Sequence, residues 1–256
     1  MTTTIAVGGK GGVGKTTVSA LLVQGLVRAG RVPVLAVDAD PNLCLDELLG
    51  VRVQATVGSV REQARVLAGQ GALPQGISKQ QLLELRIAES LVEADDFDLV
   101  AMGRCEGPGC YCYANNVLKQ VITALSDAYP WVVIDNEAGL ENLSRRIVRA
   151  VDWLVLVTDP SRRGLTTVRR LHALAVEMGV DFGRLALVVN RVRGPKPSEM
   201  ARTLATELGA DLLLGLPDDA ALAELGERGA PVGELHADNP VVRTLTPLVD
   251  AMAVSG

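Results

Sequence analysis

The stretch GGKGGVGKTT, residues 8 to 17, decides the fold of this chain. Gly9, Gly14, Lys15 and Thr16 fit the pattern G-x-x-x-x-G-K-[ST] in full. Glycines let backbone N–H groups close on phosphate oxygens, the lysine reaches the β- and γ-phosphates, and the hydroxyl binds Mg²⁺. The stretch directly follows a β-branched run and opens a helical pattern, which is the context that such a loop requires. The sequence therefore predicts a phosphate-binding loop.

The loop carries a second lysine, Lys10, which a simple nucleotide pocket does not need. Lys15 and the N-terminus of the following helix already supply positive charge to the phosphates. We therefore expect Lys10 to act beyond its own subunit, on a phosphate held across a dimer axis. Thr17 is expected to hold a phosphate through its hydroxyl and N–H groups. The predicted nucleotide-binding residues of the loop are Gly9, Lys10, Gly11, Gly12, Val13, Gly14, Lys15, Thr16 and Thr17.

Length and composition favour an ordinary globular enzyme. The chain has 256 residues, of which 48 % are hydrophobic and 21 % charged, and we expect a single domain over residues 1–256. Its net charge of −5 argues against non-specific nucleic-acid binding as the main activity. No apolar run approaches the roughly 18 residues of a membrane span, and the start has no charged leader, so we expect a cytoplasmic protein.

Short apolar runs alternate with helical patterns along the chain, which is typical of parallel strands covered on both faces. The predicted strands are Thr3–Val7, Val34–Val37, Leu99–Met102, Trp131–Ile134, Trp153–Val157, Leu185–Val189 and Leu212–Leu216. The predicted helices are Lys15–Ala29, Asn115–Tyr129, Leu143–Ala150, Leu165–Met178, Pro197–Leu208, Ala220–Arg228 and Val241–Met252. This order predicts a doubly wound, mostly parallel α/β sheet with helices on both faces and ligands at the carboxyl ends of its strands. Residues 52–98 are less regular and are interpreted as an excursion on one sheet edge.

Three acidic residues follow predicted strands beside the phosphate loop. Asp38 and Asp40 stand in the run Val-Asp-Ala-Asp-Pro, and Asp135 ends the run WVVID. Hydrolysis needs an acceptor that orients the attacking water and carboxylates around the metal. We assign water positioning to Asp40 and the Mg²⁺ shell to Asp38 and Asp135 together with Thr16. The predicted catalytic residues are Lys10, Lys15 and Asp40; helix capping or turn formation is the alternative role for any one acid.

The base is expected to lie beside Asn190 and the Pro217-Asp218 pair, which follow two further strands. A guanine site of the Asn-Lys-x-Asp kind needs a carboxylate three residues after Asn190, and that position is Arg193. Adenine is therefore favoured, with Asn190 contacting its exocyclic amine or a ring nitrogen. A turn-capping role for Asn190 is the alternative.

Three cysteines crowd into the segment GRCEGPGCYCYANN: Cys105, Cys110 and Cys112. In an extended stretch the thiols of Cys110 and Cys112 point to the same side, where they suit one soft cation. A tetrahedral site takes four nitrogen or sulfur ligands, so a second subunit would supply the other two. Cysteines packed as small hydrophobic side chains are the alternative reading.

These motifs resemble the deviant Walker A ATPases related to MinD, ParA and the nitrogenase iron protein, whose signature lysine corresponds to Lys10. Within that group the Asp-x-Asp-Pro run, the Cys-x-Cys pair and Asn239-Pro240 look most like the CooC-type ATPases that assist nickel insertion into carbon monoxide dehydrogenase. The resemblance implies ATP-dependent homodimerisation, with one Ni²⁺ or Zn²⁺ ion held by the paired Cys110 and Cys112 of two subunits. It also implies a client metalloenzyme, whose identity stays open, as does the role of Cys105.

Other functions of this group stay open as alternatives. An iron–sulfur electron-transfer ATPase needs a cysteine soon after the strand that ends at Asp135, and residues 136–150 contain none. A MinD-like positioning ATPase needs a basic amphipathic tail, whereas residues 240–256 have only Arg243 as a positive residue. A ParA-like ATPase needs a DNA-binding surface, and the arginine clusters around 145–149 and 162–170 read more simply as solvated helix faces.

Overall fold

Eight strands form one sheet in the computed structural model, which describes residues 2–69, 90–104, 128–138 and 150–253. The strands are β1 (Thr3–Gly9), β2 (Val34–Asp38), β3 (Val92–Glu93), β4 (Phe97–Ala101), β5 (Trp131–Asp135), β6 (Ala150–Thr158), β7 (Asp181–Val192) and β8 (Leu212–Pro217). They lie in the order β3-β4-β2-β5-β1-β6-β7-β8, and every neighbouring pair is parallel except the antiparallel β3 and β4.

The register brings the predicted site residues together at one edge. Asp38 at the end of β2 pairs with Asp135 at the end of β5, and Asp135 in turn pairs with Val7 of β1, just before the phosphate loop. Parallel strands present their carboxyl ends at the same edge, and the strand order reverses around β1. The fold therefore places the phosphate loop and both carboxylates side by side.

Helices cover both faces of the sheet. They are α1 (Lys15–Arg28), α2 (Leu45–Leu49), α3 (Val57–Gly69), α4 (Arg162–Glu177), α5 (Glu199–Leu208), α6 (Ala220–Arg228) and α7 (Pro240–Ala253), with a 3₁₀ turn over Val232–Glu234. One apolar cluster joins α1, α6 and α7 to the sheet, and another joins α4 and α5 to the opposite face. The central strands are consequently apolar on both sides, which explains why they read as continuous hydrophobic runs.

The predicted doubly wound sheet is confirmed, and all seven predicted strands are present. The predicted ends at Tyr129 and Ala150 were wrong, whereas the predicted ends of the five helices that the structure describes in full lie within three residues of the observed ones. Tyr129 lies outside a helix because it precedes Pro130, and the proline ring disfavours helical backbone at the residue before it. Ala150 is the first residue of β6, where it pairs with Asp181 of β7. The other parts of those two helices, residues 115–127 and 143–149, lie outside the described residues.

The predicted excursion at residues 52–98 contains more regular structure than its sequence indicated. Helix α3 and the short edge strand β3 lie in it, while residues 70–89 fall outside the described part of the chain. The antiparallel pairing of Val92 with Leu99 sets β3 at the sheet edge, and a strand of two residues is too short to show an apolar alternation. No described helix is long and apolar enough to cross a membrane.

Candidate nucleotide site

The phosphate loop connects β1 to α1 through glycines that the packing requires. Gly14 precedes α1 with φ at 92°, in the left-handed region that glycine tolerates best. A Cβ atom on Gly14 would lie 2.4 Å from Nδ2 of Asn190, and one on Gly9 would lie 2.4 Å from the carbonyl oxygen of Val157. Both positions therefore exclude any side chain, because the loop backbone lies directly against β6 and the end of β7.

The two lysines of the loop have different surroundings. Lys15 is only 8 % exposed, and its Nζ atom donates to the carbonyl oxygen of Lys10 at 3.4 Å, so its ammonium lies against the loop that would surround a phosphate. The Lys10 side chain is exposed, and no carboxylate of the described residues forms an ion pair with it. One charge thus serves the loop itself, and the other is accessible from outside.

Asp135 provides a buried carboxylate at the centre of the edge. It is 1 % exposed, and its Oδ1 atom accepts a hydrogen bond from the Ser19 hydroxyl at 3.0 Å. Its Oδ2 atom is buried and accepts no hydrogen bond from the described part of the chain. Burial raises the pKa of Asp135 to about 7, and the nearby hydroxyl groups of Thr16 and Ser19 oppose part of that rise.

The buried free oxygen of Asp135 fits a magnesium site. Mg²⁺ takes hard oxygen ligands and keeps several water molecules, so one carboxylate oxygen next to the hydroxyl of Thr16 is a suitable donor set. A bound cation would also remove the cost of burying the charged carboxylate. The sequence pattern did not identify Ser19 as a site residue, although Ser19 stands four residues after Lys15, on the same face of α1.

Asp38 holds the loop that follows β2. Its Oδ1 atom accepts from the backbone N–H of Asp40 at 3.0 Å, and its Oδ2 atom accepts from those of Cys44 and Leu45, each at 3.1 Å. Burial raises the pKa of Asp38, while these three hydrogen bonds act in the opposite direction. In the nucleotide-free protein Asp38 therefore has the turn-stabilising role that was its alternative. A role for Asp38 in the Mg²⁺ shell stays a prediction.

A cleft of about 350 Å³ lies beside the phosphate loop, at the ends of β7 and β8. Among its lining residues are Thr17, Asn190, Pro217 and Asp218, which are four of the residues that the sequence assigned to the nucleotide. The Asn190 amide contacts protein on both sides, because Nδ2 donates to the carbonyl oxygen of Val13 at 2.9 Å and Oδ1 accepts from the N–H of the next residue at 3.0 Å. Asn190 therefore braces the phosphate loop, with one amide hydrogen left for a base.

Arg191 is a further lining residue that the sequence did not indicate. Its φ is 59°, a left-handed conformation that is uncommon for a residue with a long side chain, and its Nη1 atom lies 3.5 Å from the carbonyl oxygen of Gly12. Strained backbone of this kind concentrates at functional sites. Asn136 directly follows β5 and is buried, and its Nδ2 atom donates to the carbonyl oxygen of Val7 at 2.9 Å.

The predicted thiol site cannot be placed, because Cys105, Cys110 and Cys112 lie outside the described residues. Within the described ranges, no group of three or more His, Cys, Asp or Glu residues is arranged to hold a metal ion. Cys44 is exposed and free, and it follows the Asp40 loop.

Comparisons with known proteins agree with this geometry. Residues 4–232 match the model of the CobQ/CobB/MinD/ParA nucleotide binding domain. The chain is 43 % identical over 246 residues to an uncharacterized ATP-binding protein of Methanocaldococcus jannaschii, covering 96 % of each. It is 28 % identical to the carbon monoxide dehydrogenase accessory protein CooC of Rhodospirillum rubrum, covering 88 % of this chain and 87 % of the relative. Its fold is similar to that of MinD from Pyrococcus horikoshii in complex with Mg-ADP, with a TM-score of 0.71 and 24 % identity over 100 % and 99 % of the two chains.

Proposed function

The chain belongs to the CobQ/CobB/MinD/ParA family of nucleotide-binding domains and is an ATPase, and from that premise we propose that it delivers a metal ion to a client metalloenzyme. The proposal rests chiefly on one observation: a Cys-x-Cys pair, Cys110 and Cys112, occurs in a chain that is similar to a carbon monoxide dehydrogenase accessory protein over most of its length. The metal ion, Ni²⁺ or Zn²⁺, is the cargo of this cycle, and carbon monoxide dehydrogenase is the proposed client.

The described edge of the sheet supports the ATP half of the cycle. Backbone N–H groups of the phosphate loop and the buried Lys15 hold the phosphates, and Thr17 lies at the base of the adjoining cleft. Thr16, Asp135 and Asp38 would hold Mg²⁺, which neutralises charge that develops on the phosphate oxygens. The adenine base would occupy the cleft between Asn190 and the Pro217-Asp218 pair.

Asp40 is the proposed water-positioning residue. Its carboxylate accepts a hydrogen bond from the water molecule that attacks the γ-phosphorus. The bond between the γ-phosphorus and the β-phosphate oxygen then breaks, and ADP and phosphate leave. The side chain is half-buried and follows β2, one strand away from β5 and two from the phosphate loop. That placement is compatible with a nucleotide bound at the loop.

The metal half of the cycle requires two copies of the chain. Two thiolates per subunit complete a four-ligand site only as a pair of subunits, and the exposed Lys10 is accessible to a phosphate in the partner. ATP and the metal ion would each favour the dimer, so binding of one strengthens binding of the other. Hydrolysis would then weaken the dimer and release the metal ion to the client.

The test measures bound Ni²⁺ or Zn²⁺ and oligomeric state for wild type, Cys112→Ala and Cys44→Ala, with and without a non-hydrolysable ATP analogue. We expect about one metal ion per dimer in wild type and Cys44→Ala, which loses only the exposed thiol outside the pair. Cys112→Ala should lose most of the bound metal. A monomer under all conditions, or equal metal binding by all three proteins, contradicts the proposal.

A positioning ATPase is the second candidate, favoured by the similarity of the whole fold to MinD. Such an ATPase binds a membrane surface in its ATP state, which α7 would have to mediate with Arg243 as its single basic residue. Sedimentation with anionic phospholipid vesicles separates the candidates. ATP-dependent co-sedimentation without metal binding favours positioning, and metal binding without co-sedimentation favours delivery.

A further inference from the structure

The loop of residues 39–44 is held at both ends by one carboxylate and is strained in between. Asp38 accepts hydrogen bonds from the N–H groups of Asp40, Cys44 and Leu45, as described above. Leu43 has φ at 55°, in the left-handed region that costs a non-glycine residue about 1 kcal/mol or more. Strained backbone persists only where the surrounding contacts hold it. The side-chain contacts of this loop therefore determine the orientation of Asp40.

Asn42 fixes the carboxylate of Asp40 through one oxygen. Both the backbone N–H and the Nδ2 atom of Asn42 donate to Oδ1 of Asp40, at 2.9 and 3.0 Å. The Oδ2 atom of Asp40 accepts no hydrogen bond from the described residues and is available to a water molecule. The Asp40 carboxylate is therefore oriented by Asn42, with one oxygen anchored and the other available.

Arg104 in turn fixes Asn42. Its Nη2 atom donates to Oδ1 of Asn42 at 3.0 Å. Because a guanidinium group can only donate, it selects the amide orientation in which Oδ1 faces Arg104 and the amide N–H groups face Asp40. The contact joins neighbouring strands, since Arg104 lies just beyond β4 and the N–H of Met102 donates to the carbonyl oxygen of Asp38 at 2.8 Å.

We infer that Asn42 and Arg104 are positioning residues for ATP hydrolysis: Asn42 orients the Asp40 carboxylate, and Arg104 orients the Asn42 amide. The inference rests on the proposed role of Asp40.

The first experiment compares kcat for ATP hydrolysis with ATP affinity and thermal midpoint in single variants. Asn42→Ala should lower kcat roughly tenfold or more and leave affinity within about twofold, because a small displacement of an orienting group affects the reaction more than binding. Arg104→Ala should lower kcat by a smaller factor. Arg104→Lys should recover part of that loss, since an ammonium group can donate to the same oxygen. Arg52→Ala, an exposed arginine outside the contact, is the matched control and should behave as wild type.

The second experiment tests whether Asn42 acts through Asp40. Asn42→Ala in the Asp40→Ala background should lower kcat no further, since effects along one contact are not additive. If Asp40→Ala alone leaves kcat unchanged, the proposed role of Asp40 fails. If Asp40→Ala lowers kcat while Asn42→Ala and Arg104→Ala stay within about twofold of wild type, the inference fails and the proposed function stands. If Arg104→Ala lowers the thermal midpoint and the ATP affinity along with kcat, the inference is also overturned, because such losses indicate a structural role.

Discussion

Two loops leave the carboxyl edge of the sheet on either side of β5: the phosphate loop between β1 and α1, and the loop of residues 39–44 between β2 and α2. The phosphate loop takes left-handed backbone at glycines, such as Gly14, and its backbone lies directly against Val157 and Asn190. The second loop takes left-handed backbone at Leu43 and is held by the side chains of Asp38, Asn42 and Arg104.

This difference separates binding from hydrolysis. A loop shaped chiefly by glycines and adjacent strands keeps one backbone conformation, which suits tight phosphate binding. A loop held by a few side-chain hydrogen bonds changes when one of them changes, which suits a step that has to be regulated. Substitutions in the first loop, apart from the exposed Lys10, should therefore act mainly on affinity, and those in the second loop mainly on turnover or stability.

The largest expected effect is a difference between the two lysines of the phosphate loop when each is replaced by alanine. Lys15→Ala should weaken ATP binding roughly 100-fold, because it removes a buried charge from the phosphates. Lys10→Ala should keep affinity within about tenfold and yet lose ATP-dependent dimerisation and most hydrolysis, because its exposed side chain is assigned to the partner's phosphate. Fluorescent-nucleotide titration and sedimentation measure both quantities. Similar losses of affinity in the two variants would remove the distinction between the lysines.

An intermediate effect concerns the pH dependence of Asp135. Its pKa is about 7, above the ordinary 3.8, so the carboxyl is mostly protonated below pH 7. Binding of the Mg²⁺-nucleotide at lower pH must therefore release that proton. Affinity for Mg-ATP should fall as the pH falls below about 7, approaching tenfold per pH unit, and level off above it. Asp135→Asn should bind more weakly and lose most of this slope, with Asp38 contributing the rest. A slope in Asp135→Asn as steep as that of wild type would contradict the assignment.

The same raised pKa fixes the sign of a stability effect in the nucleotide-free protein. Burial favours the protonated carboxyl of Asp135. Its contribution to the free energy of unfolding is therefore complete below about pH 4 and is lost as the pH rises through about 7. Thermal midpoints of the unliganded protein, measured over that range with and without Asp135→Asn, report it directly.

The smallest expected effect concerns the strained residue of the second loop. Leu43→Gly should raise the free energy of unfolding by up to about 1 kcal/mol, because glycine adopts a φ of 55° without steric cost. Leu91→Gly is the matched control: Leu91 is also half-buried outside a helix but has no left-handed backbone, so the substitution should destabilise the chain. Urea unfolding measures both. A loss of stability in Leu43→Gly as large as in Leu91→Gly would show that Leu43 is not strained.

Much of the fold could be predicted from the sequence because its signals are local. The phosphate loop needs glycines and a lysine at fixed spacing, and strands buried on both faces appear as apolar runs, so β1 was found with its loop, and β2 and β5 with their terminal acids. The helix ends failed where a tertiary contact or a proline decided the boundary, as at Tyr129 and Ala150. The two-residue strand β3 carries no period that a sequence pattern can reveal.

The sequence by itself determined the residue types of the site: the loop Gly9–Thr17, the carboxylates at strand ends, and the thiols at Cys110 and Cys112. Only the tertiary structure decided which of them meet and what else joins them. The Asn42 contact with Arg104 spans 62 positions, and that of Ser19 with Asp135 spans 116. Strand order creates such contacts, and no local spacing encodes it, because a hydrogen bond across a sheet depends on which strands pair.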